Sequence, residues 1–593
     1  MASAPAVAAA LTATLWAAWL YGWRVLYPGS VDWLLHGDAA AHHVGVQFFL
    51  RDAWHWPLGL FHGFGEVPTS VVFTDGIPAL ALLAKAATHL GLWPQGWQYF
   101  GLWMLACHAA AAWWGVRLLQ ALAARQGGAP LHPMALWAGG LFFTVSPALM
   151  MRAYGHEALM AHALLLVALA WAVQPRAWRA WPWLGLVALA VGTHAYLALM
   201  AALIGVAAAV SALLSGQVRG PRLMLQAVAC AAVLCIWAWV LGYFAGAAEV
   251  STHGHGLYSA NLLTWVDPMP WVDFMNLHQR QAPYVAEWSR LWPAQAQATG
   301  GQYEGYAWLG SGMLAVLALA ASLALAQPLF RLQLGGMSAP LQPLVSPGRW
   351  GPQGPVSPAW PVWVVCGFFA LWAISARITL GAHTLLAFDP PPALAAVLGV
   401  FRASGRFIWP LTYLLMAWAL VRVARLGAPW VLLPAALLLQ AVDTSPKWFE
   451  FHSRFRLGPP GIAPAVQDPR WSAWLSRCPR LEWVADEAPD QPAGRWIGPS
   501  LAAGIVGAQV LPAPTSHPSA QAREQRRQHL QALQAGAWRS DTVYVFPGPG
   551  PTPPAGLLSP WPLQVLDGYL TLAAPGCQAT ASSPPGATTL PGG

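Results

Sequence analysis

Long apolar runs alternate along the chain with loops in which polar and aromatic residues gather, and run length sets the first expectations. A helix rises about 1.5 Å per residue and a bilayer core is about 30 Å thick, so roughly 20 apolar residues make one crossing. Residues 5–26 meet that length without a basic leader or a clean small-residue cleavage site, which predicts a retained first helix. Further spans are predicted at 97–124, 134–151, 156–173, 221–246, 306–330, 360–377, 409–426 and about 429–442. The run 181–215 is about 35 residues, too long for one ordinary span, and predicts a hairpin bent at Gly192-Thr193-His194. The piece 77–92 makes only about 24 Å of helix and reads as a re-entrant or shallow segment. The pattern predicts about eleven or twelve spans in an α-helical polytopic membrane protein.

Three long loops interrupt the spans, at 27–77, 247–305 and 378–408, and a Pro/Gly/Gln-rich linker covers 331–359. In the first loop, Ala39 to Ala53 predicts a short helix lying in the interface, with Val46, Phe49 and Leu50 on one side and Asp52 on the other. From Asp443 the chain changes character, which divides it into a membrane domain, 1–445, and a polar domain, 446–593. In the second part, 481–485, 542–546 and 569–572 read as short strands and 519–536 as a polar helix, a small α/β module. Pro-Gly runs at 547–555 and after Ser583 read as linker and tail.

Composition excludes a soluble globular protein: 57% of residues are hydrophobic and 9% charged, with a positive mean hydropathy. The 37 Trp suit a chain with many membrane–water boundaries. A formal charge of +8 comes from Arg scattered at segment ends, so it carries topology and gives no nucleic-acid surface. Placing Arg117/Arg125, Arg176/Arg179, Arg219/Arg222, Arg331/Arg349 and Arg422/Arg425 in the cytoplasm puts the three long loops, the turn at Arg152–His156 and the C-terminal domain outside. That assignment requires 77–92 not to cross. Cys107, Cys230, Cys235 and Cys366 lie in apolar runs, whereas Cys478 and Cys577 share the polar domain and are either bridged or free.

Ionisable groups are scarce at span centres, where only Lys85, His162 and His194 stand, and they collect at the outer span ends. That distribution suits an enzyme that takes one substrate from the bilayer and another from water. Asp38, flanked by His36, His42 and His43, is placed to act as a general base or to bind a divalent metal with His42; the competing reading is a helix cap. Arg152, His156, Glu157 and His162 bring a cation, imidazoles and a carboxylate to one outer turn, as substrate-binding candidates. His194 is a candidate phosphate donor, or a structural histidine. Arg402 and Arg406 flank a Ser-Gly pair as a bidentate phosphate clamp, or as headgroup anchors. Glu304 and Tyr306 add an acid and a phenol, and Asp75 is either a further contact or a turn residue.

The pieces His36-Gly37-Asp38, Phe73 to Pro78, Gly155 to His162, His194-Ala195-Tyr196, Glu304-Gly305-Tyr306 and Phe401 to Arg406 are together similar to an uncharacterised bacterial membrane family. With its first span, long acidic loop and polar C-terminal domain, the chain resembles the GT-C superfamily of polyprenyl-phosphate-sugar-dependent glycosyltransferases over most of residues 1–445. The resemblance implies that Asp38 is the catalytic acid, as base or metal-assisting residue, in an inverting transfer to a glycan, lipid or protein acceptor. Ala39 stands where many members carry a second acid, so Mg²⁺ or Mn²⁺ is an optional cofactor at Asp38 and His42, and none is required. The implied location is the bacterial inner membrane, multi-pass, with active site and C-terminal domain extracytoplasmic. The competing functions are a lipid-linked glycan transporter and a non-catalytic assembly protein of the cell envelope.

Overall fold

Ala6, Ala9, Ala13 and Ala17 recur at helical spacing along α1 (Ala4–Leu26), and all four are fully buried. Small residues on one stripe let helix axes approach closely in a lipid-facing bundle. On the opposite side Leu11, Leu15 and Trp23 are exposed, as a membrane-facing surface requires. The alanine stripe packs on α4 (Phe100–Gln126) and α5 (Pro133–Thr144). At the crossing with α4, a Cβ on Gly101 would lie 1.8 Å from the Val25 carbonyl oxygen, so only glycine fits there.

The computed structural model describes residues 4–127, 129–174, 178–245, 254–278, 285–333, 359–457, 466–485, 495–513, 520–546 and 560–578. Most of the linker 331–359, Arg176, Arg349, and the Pro-Gly runs at 547–555 and after Ser583 lie outside them. The fold is mostly helical. Among the described residues, six helices are long and apolar enough to cross a membrane: Ala4–Leu26, Phe100–Gln126, Pro133–Ala153, Ala195–Leu214, Gly220–Val240 and Ser404–Val423. Shorter apolar helices cover Glu157–Val173, Ala180–Val191, Ser311–Ala326 and Trp360–Ile374. Ala180–Val191 and Ala195–Leu214 form the predicted hairpin, turning at Gly192–His194. The helix α3 (Pro78–His89) has 12 residues, about 18 Å, too short to span.

Three expectations change. The helix α2 (Gly37–Arg51) forms where predicted, yet it does not lie open to the interface. His42, His43, Gln47, Phe48, Phe49 and Leu50 are all buried, because C-terminal residues cover the side that the sequence leaves to lipid or water. The last long helix does not end near 442 but runs from Pro429 to Leu457. Asp443, Lys447, Glu450 and Arg454, which look in sequence like the start of a polar domain, recur at spacings of four, three and four, so they share one helical face, and all are buried. Asp443 accepts from Ser289 Oγ (2.6 Å) and from Ser311 N (3.1 Å), and Lys447 Nζ pairs with Glu450 (2.6 Å) under the rings of Trp271 and Trp288. The third loop is partly regular: residues 377–380 and 383–387 pair as an antiparallel hairpin.

The three predicted strands form, with two unpredicted ones at 509–511 and 563–566, a five-stranded sheet in the order 509–511, 480–483, 542–546, 569–573, 563–566. The first three are mutually parallel and the last two antiparallel to their neighbours. The polar helix forms as Ala520–Gln534, and Ile497–Val506 packs on α2, with Gly504 admitting the Phe48 ring. The sheet extends into the first loop, where Val510 N donates to Gly63 O (2.8 Å) and Gly65 N donates to Val510 O (2.9 Å). Cys478 and Cys577 are disulfide-bonded, with Cα atoms 5.5 Å apart. The bridge closes a separation of 99 residues, a loop length whose constraint the chain-entropy model puts at about 4.7 kcal/mol. Cys478→Ser is expected to make the C-terminal module the first part cut in limited proteolysis, and unchanged cleavage of the variant would remove that role for the bond.

Candidate functional site

The turn at Arg152–Glu157, the 3₁₀ turn Gln302–Gly305 and the turn Ser404–Ile408 converge on the N-terminal end of α2. Glu304 is the hub. Arg152 Nη1 donates to its Oε2 (2.6 Å), and Arg406 donates through Nε to Oε2 (2.9 Å) and through Nη2 to Oε1 (2.5 Å). Burial alone would raise the Glu304 carboxyl, but Arg406 and Arg152 outweigh it and hold the group well below the usual carboxylate range. The Arg152 guanidinium also lies 5.0 Å over the Trp409 ring, and that of Arg406 lies 4.8 Å over Tyr196.

His156 links this buried core to the surface. Its Nε2 lies 3.8 Å from both Asp38 Oδ2 and Glu304 Oε1, distances that a water can bridge. Burial pushes its imidazole down despite Glu304, so it is neutral near pH 7. Asp38 stands at the rim with 64% of its side chain exposed. The capping reading for Asp38 fails: α2 begins at Gly37, the cap position belongs to His36, and Asp38 lies in the first turn, where the helix dipole favours a carboxylate.

A second row runs behind the rim. His42 Nδ1 lies 3.2 Å from Glu157 Oε2 and His42 Nε2 lies 3.7 Å from Asp75 Oδ2. Burial would lower His42, but the Glu157 hydrogen bond and the charges of Asp75, Glu157 and Asp38 reverse this and lift it from 6.5 to about 9. His194 closes the row. Its Nδ1 accepts from Tyr196 N (3.2 Å), which places its proton on Nε2, 3.5 Å from Asp75 Oδ1. Burial pushes His194 down to about 4, so it serves Asp75 as a neutral donor.

Ligand-type atoms of His42, Asp75 and His156 lie within 4.8 Å of one another, and Asp38 is not in that group. The optional metal pair of Asp38 and His42 is not found in this group, and His42 turns its ring nitrogens to Glu157 and Asp75. Near neutral pH a proton occupies His42, and a divalent ion would have to displace it.

The retained proton gives a pH prediction. Below pH 6.5 folded and unfolded chains both carry it and its stabilisation is complete; above that only the folded chain holds it, until it too titrates near 9. The stability difference between wild type and His42→Gln is expected to shrink by about 3 kcal/mol between pH 6 and about pH 10, on top of a pH-independent packing contribution. A pH-independent difference in thermal unfolding would rule this out.

The structure gathers Asp38, His156, Glu304, Arg152 and Arg406 in one set of contacts and Glu157, Asp75 and His194 in a second around His42, and the two approach within 4.8 Å at His156. Two candidates fall away from both. Tyr306 turns from Glu304 and is buried against Trp288, 5.3 Å between ring centres. Arg402 and Arg406 do not form a two-pronged clamp, because Arg406 spends Nε and Nη2 on Glu304 while the Arg402 guanidinium lies 5.9 Å over the Tyr258 ring. Lys85 and His162 are structural: Lys85 Nζ donates to Ala53 O (3.0 Å), and His162 pairs with Tyr413. Tyr196 was legible only as part of His194-Ala195-Tyr196, and its position is central: Oη accepts from Ala403 N (2.9 Å) and its ring supports Arg406.

A family model described as a domain of unknown function (DUF6311) matches residues 10–445. No curated protein and no solved structure matches the chain.

Proposed function

The chain belongs to the DUF6311 family, and from its own residues we propose that it is a GT-C-type glycosyltransferase. It moves a sugar from a polyprenyl-phosphate donor to a glycan, lipid or protein acceptor at the outer face of a bacterial inner membrane. One observation carries the reading: a solvent-facing carboxylate, Asp38, stands over a buried, fixed assembly of Glu304, Arg152 and Arg406, with His156 between them. Exposed base and immobile charge suit a site where an acceptor arrives from water and a charged donor from lipid.

In this scheme Asp38 removes the acceptor hydroxyl proton, the oxygen attacks the anomeric carbon from the face opposite the phosphate, and the carbon–oxygen bond to phosphate breaks with inversion. The edge of Arg406 turned away from Glu304 receives the leaving phosphate, and the half-buried Arg402 adds a separate positive charge rather than a second prong. His156 orients Asp38. No step is routed through Mg²⁺ or Mn²⁺. The Cys478–Cys577 bond supports an oxidising, extracytoplasmic side for the C-terminal module. At the other end of the bundle, Arg125 Nη1 donates to Val173 O (3.2 Å) and Arg425 Nη2 to Ala123 O (2.9 Å), in keeping with a cytoplasmic face. With Pro429–Leu457, the shorter apolar helices bring the membrane domain to eleven crossings in this scheme, with Pro78–His89 outside the count.

The test is turnover of labelled polyprenyl-phosphate sugars by the full chain in nanodiscs. Release of polyprenyl phosphate with transfer of the label supports the reading. Labelled lipid crossing the bilayer intact would replace it with transport, and neither event with any donor tested would leave an assembly role.

A further inference from the structure

The far end of α2 holds a second cluster that the proposed transfer does not use. Asp52 follows the last helical residue, fourteen positions and about 21 Å of helix from Asp38. Its Oδ2 lies 3.0 Å from His55 Nε2 and 3.4 Å from His62 Nδ1, and those two nitrogens are 3.2 Å apart. The carboxylate is already fixed, Oδ1 accepting from Ala53 N (2.8 Å) and Oδ2 from His62 N (2.7 Å).

The three contacts form a closed triangle, and protons do not satisfy it well. If both ring nitrogens donate to Oδ2, two N–H groups oppose each other at 3.2 Å; if one nitrogen keeps its lone pair, it can only share the other ring's N–H with Oδ2 while it also faces the carboxylate oxygen. A cation outside the triangle satisfies all three lone pairs together. Bonds of about 2.0–2.1 Å in tetrahedral geometry require ligand atoms about 3.3 Å apart, which is the size of this triangle. Two imidazoles and one carboxylate select a borderline transition metal over Mg²⁺ or Ca²⁺, whose shells are oxygen. Side-chain exposures of 20% for Asp52, 29% for His55 and 47% for His62 leave an entry path and room for a water.

We propose that Asp52, His55 and His62 bind a divalent transition metal of the Zn²⁺ class. Its place suggests its use. His62 follows the strand pair made by Leu60–Phe61 with Thr69–Ser70 and immediately precedes Gly63, which accepts from Val510 of the C-terminal sheet. The ion therefore ties the end of α2 to the segment on which the C-terminal module docks. This is a structural clip, separate from the chemistry at Asp38.

The test uses the full chain without a polyhistidine tag, chelator-stripped in detergent and titrated with Zn²⁺ by calorimetry. Wild type and His42→Gln are expected to bind one ion with equal affinity at this site, whereas His55→Ala/His62→Ala loses at least tenfold. Asp52→Asn, which keeps the side-chain shape and one of the two acceptor oxygens while an amide NH₂ replaces the other, is expected to weaken binding similarly and decides the matter should the double variant not fold. Zn²⁺ is further expected to slow proteolytic release of the C-terminal module in wild type and His42→Gln and not in the variants of Asp52, His55 and His62. Absence of saturable binding by wild type, or wild-type affinity in Asp52→Asn, overturns the site.

Discussion

Glu304→Gln is expected to destabilise the protein by about 3–5 kcal/mol, the range for removing one partner from a buried ion pair. The reason is what remains. Arg152 is fully buried and Arg406 nearly so, and both aim nitrogens at the same carboxylate. An amide keeps the shape and one acceptor oxygen, but it leaves two guanidiniums close together with no counter-charge where water is scarce. Repulsion between them adds to the lost attraction. Arg406→Met placed on top of Glu304→Gln should therefore recover part of the loss, because it removes one stranded cation; independent contributions would instead add. The measurement is the temperature at which detergent-solubilised protein ceases to elute as a single species. An unchanged midpoint for Glu304→Gln would mean that the triad is not a stability element.

The same triad marks the limit of what sequence offered. Helix spans were legible because bilayer thickness imposes a length that apolar runs must meet, and the hairpin at Gly192–His194 follows from a run too long for one span. Three strands of the C-terminal sheet were legible from β-branched and aromatic runs. Pairing between distant segments was not. Nothing in Phe401–Arg406 says that Arg406 spends its guanidinium on Glu304 while Arg402 does not, since both read as cations one turn apart. Tyr306, two residues from Glu304, was placed with it by proximity in sequence, but the chain leaves the 3₁₀ turn in extended geometry there and the ring goes to Trp288. The burial of α2 was hidden for a different reason: its covering helix, Ile497–Val506, lies more than four hundred residues away. By contrast, the inward face of Asp443, Lys447, Glu450 and Arg454 was written in their spacing and obscured by their polarity.

Asp38→Asn is the substitution expected to change activity most with least change in stability. As a general base a carboxylate supplies about 10²–10⁴-fold, equivalent to about 2.7–5.5 kcal/mol of barrier. Asn has no basic lone pair at neutral pH but keeps the size of Asp, so donor binding should persist while kcat falls. Two features of the site separate catalysis from support. The Asp38 side chain is 64% exposed and faces His156 at 3.8 Å, so its replacement breaks no buried pair and the unfolding midpoint should stay within a degree or two. Glu304→Gln should show the reverse signature, a collapse in stability whose residual folded fraction retains Asp38. Asp38→Glu adds one methylene and should return part of the rate, because the base is restored at a displaced position. Full donor consumption by Asp38→Asn in nanodiscs would remove Asp38 from the chemistry, and so would a loss of rate that tracks the unfolding midpoint across the three variants.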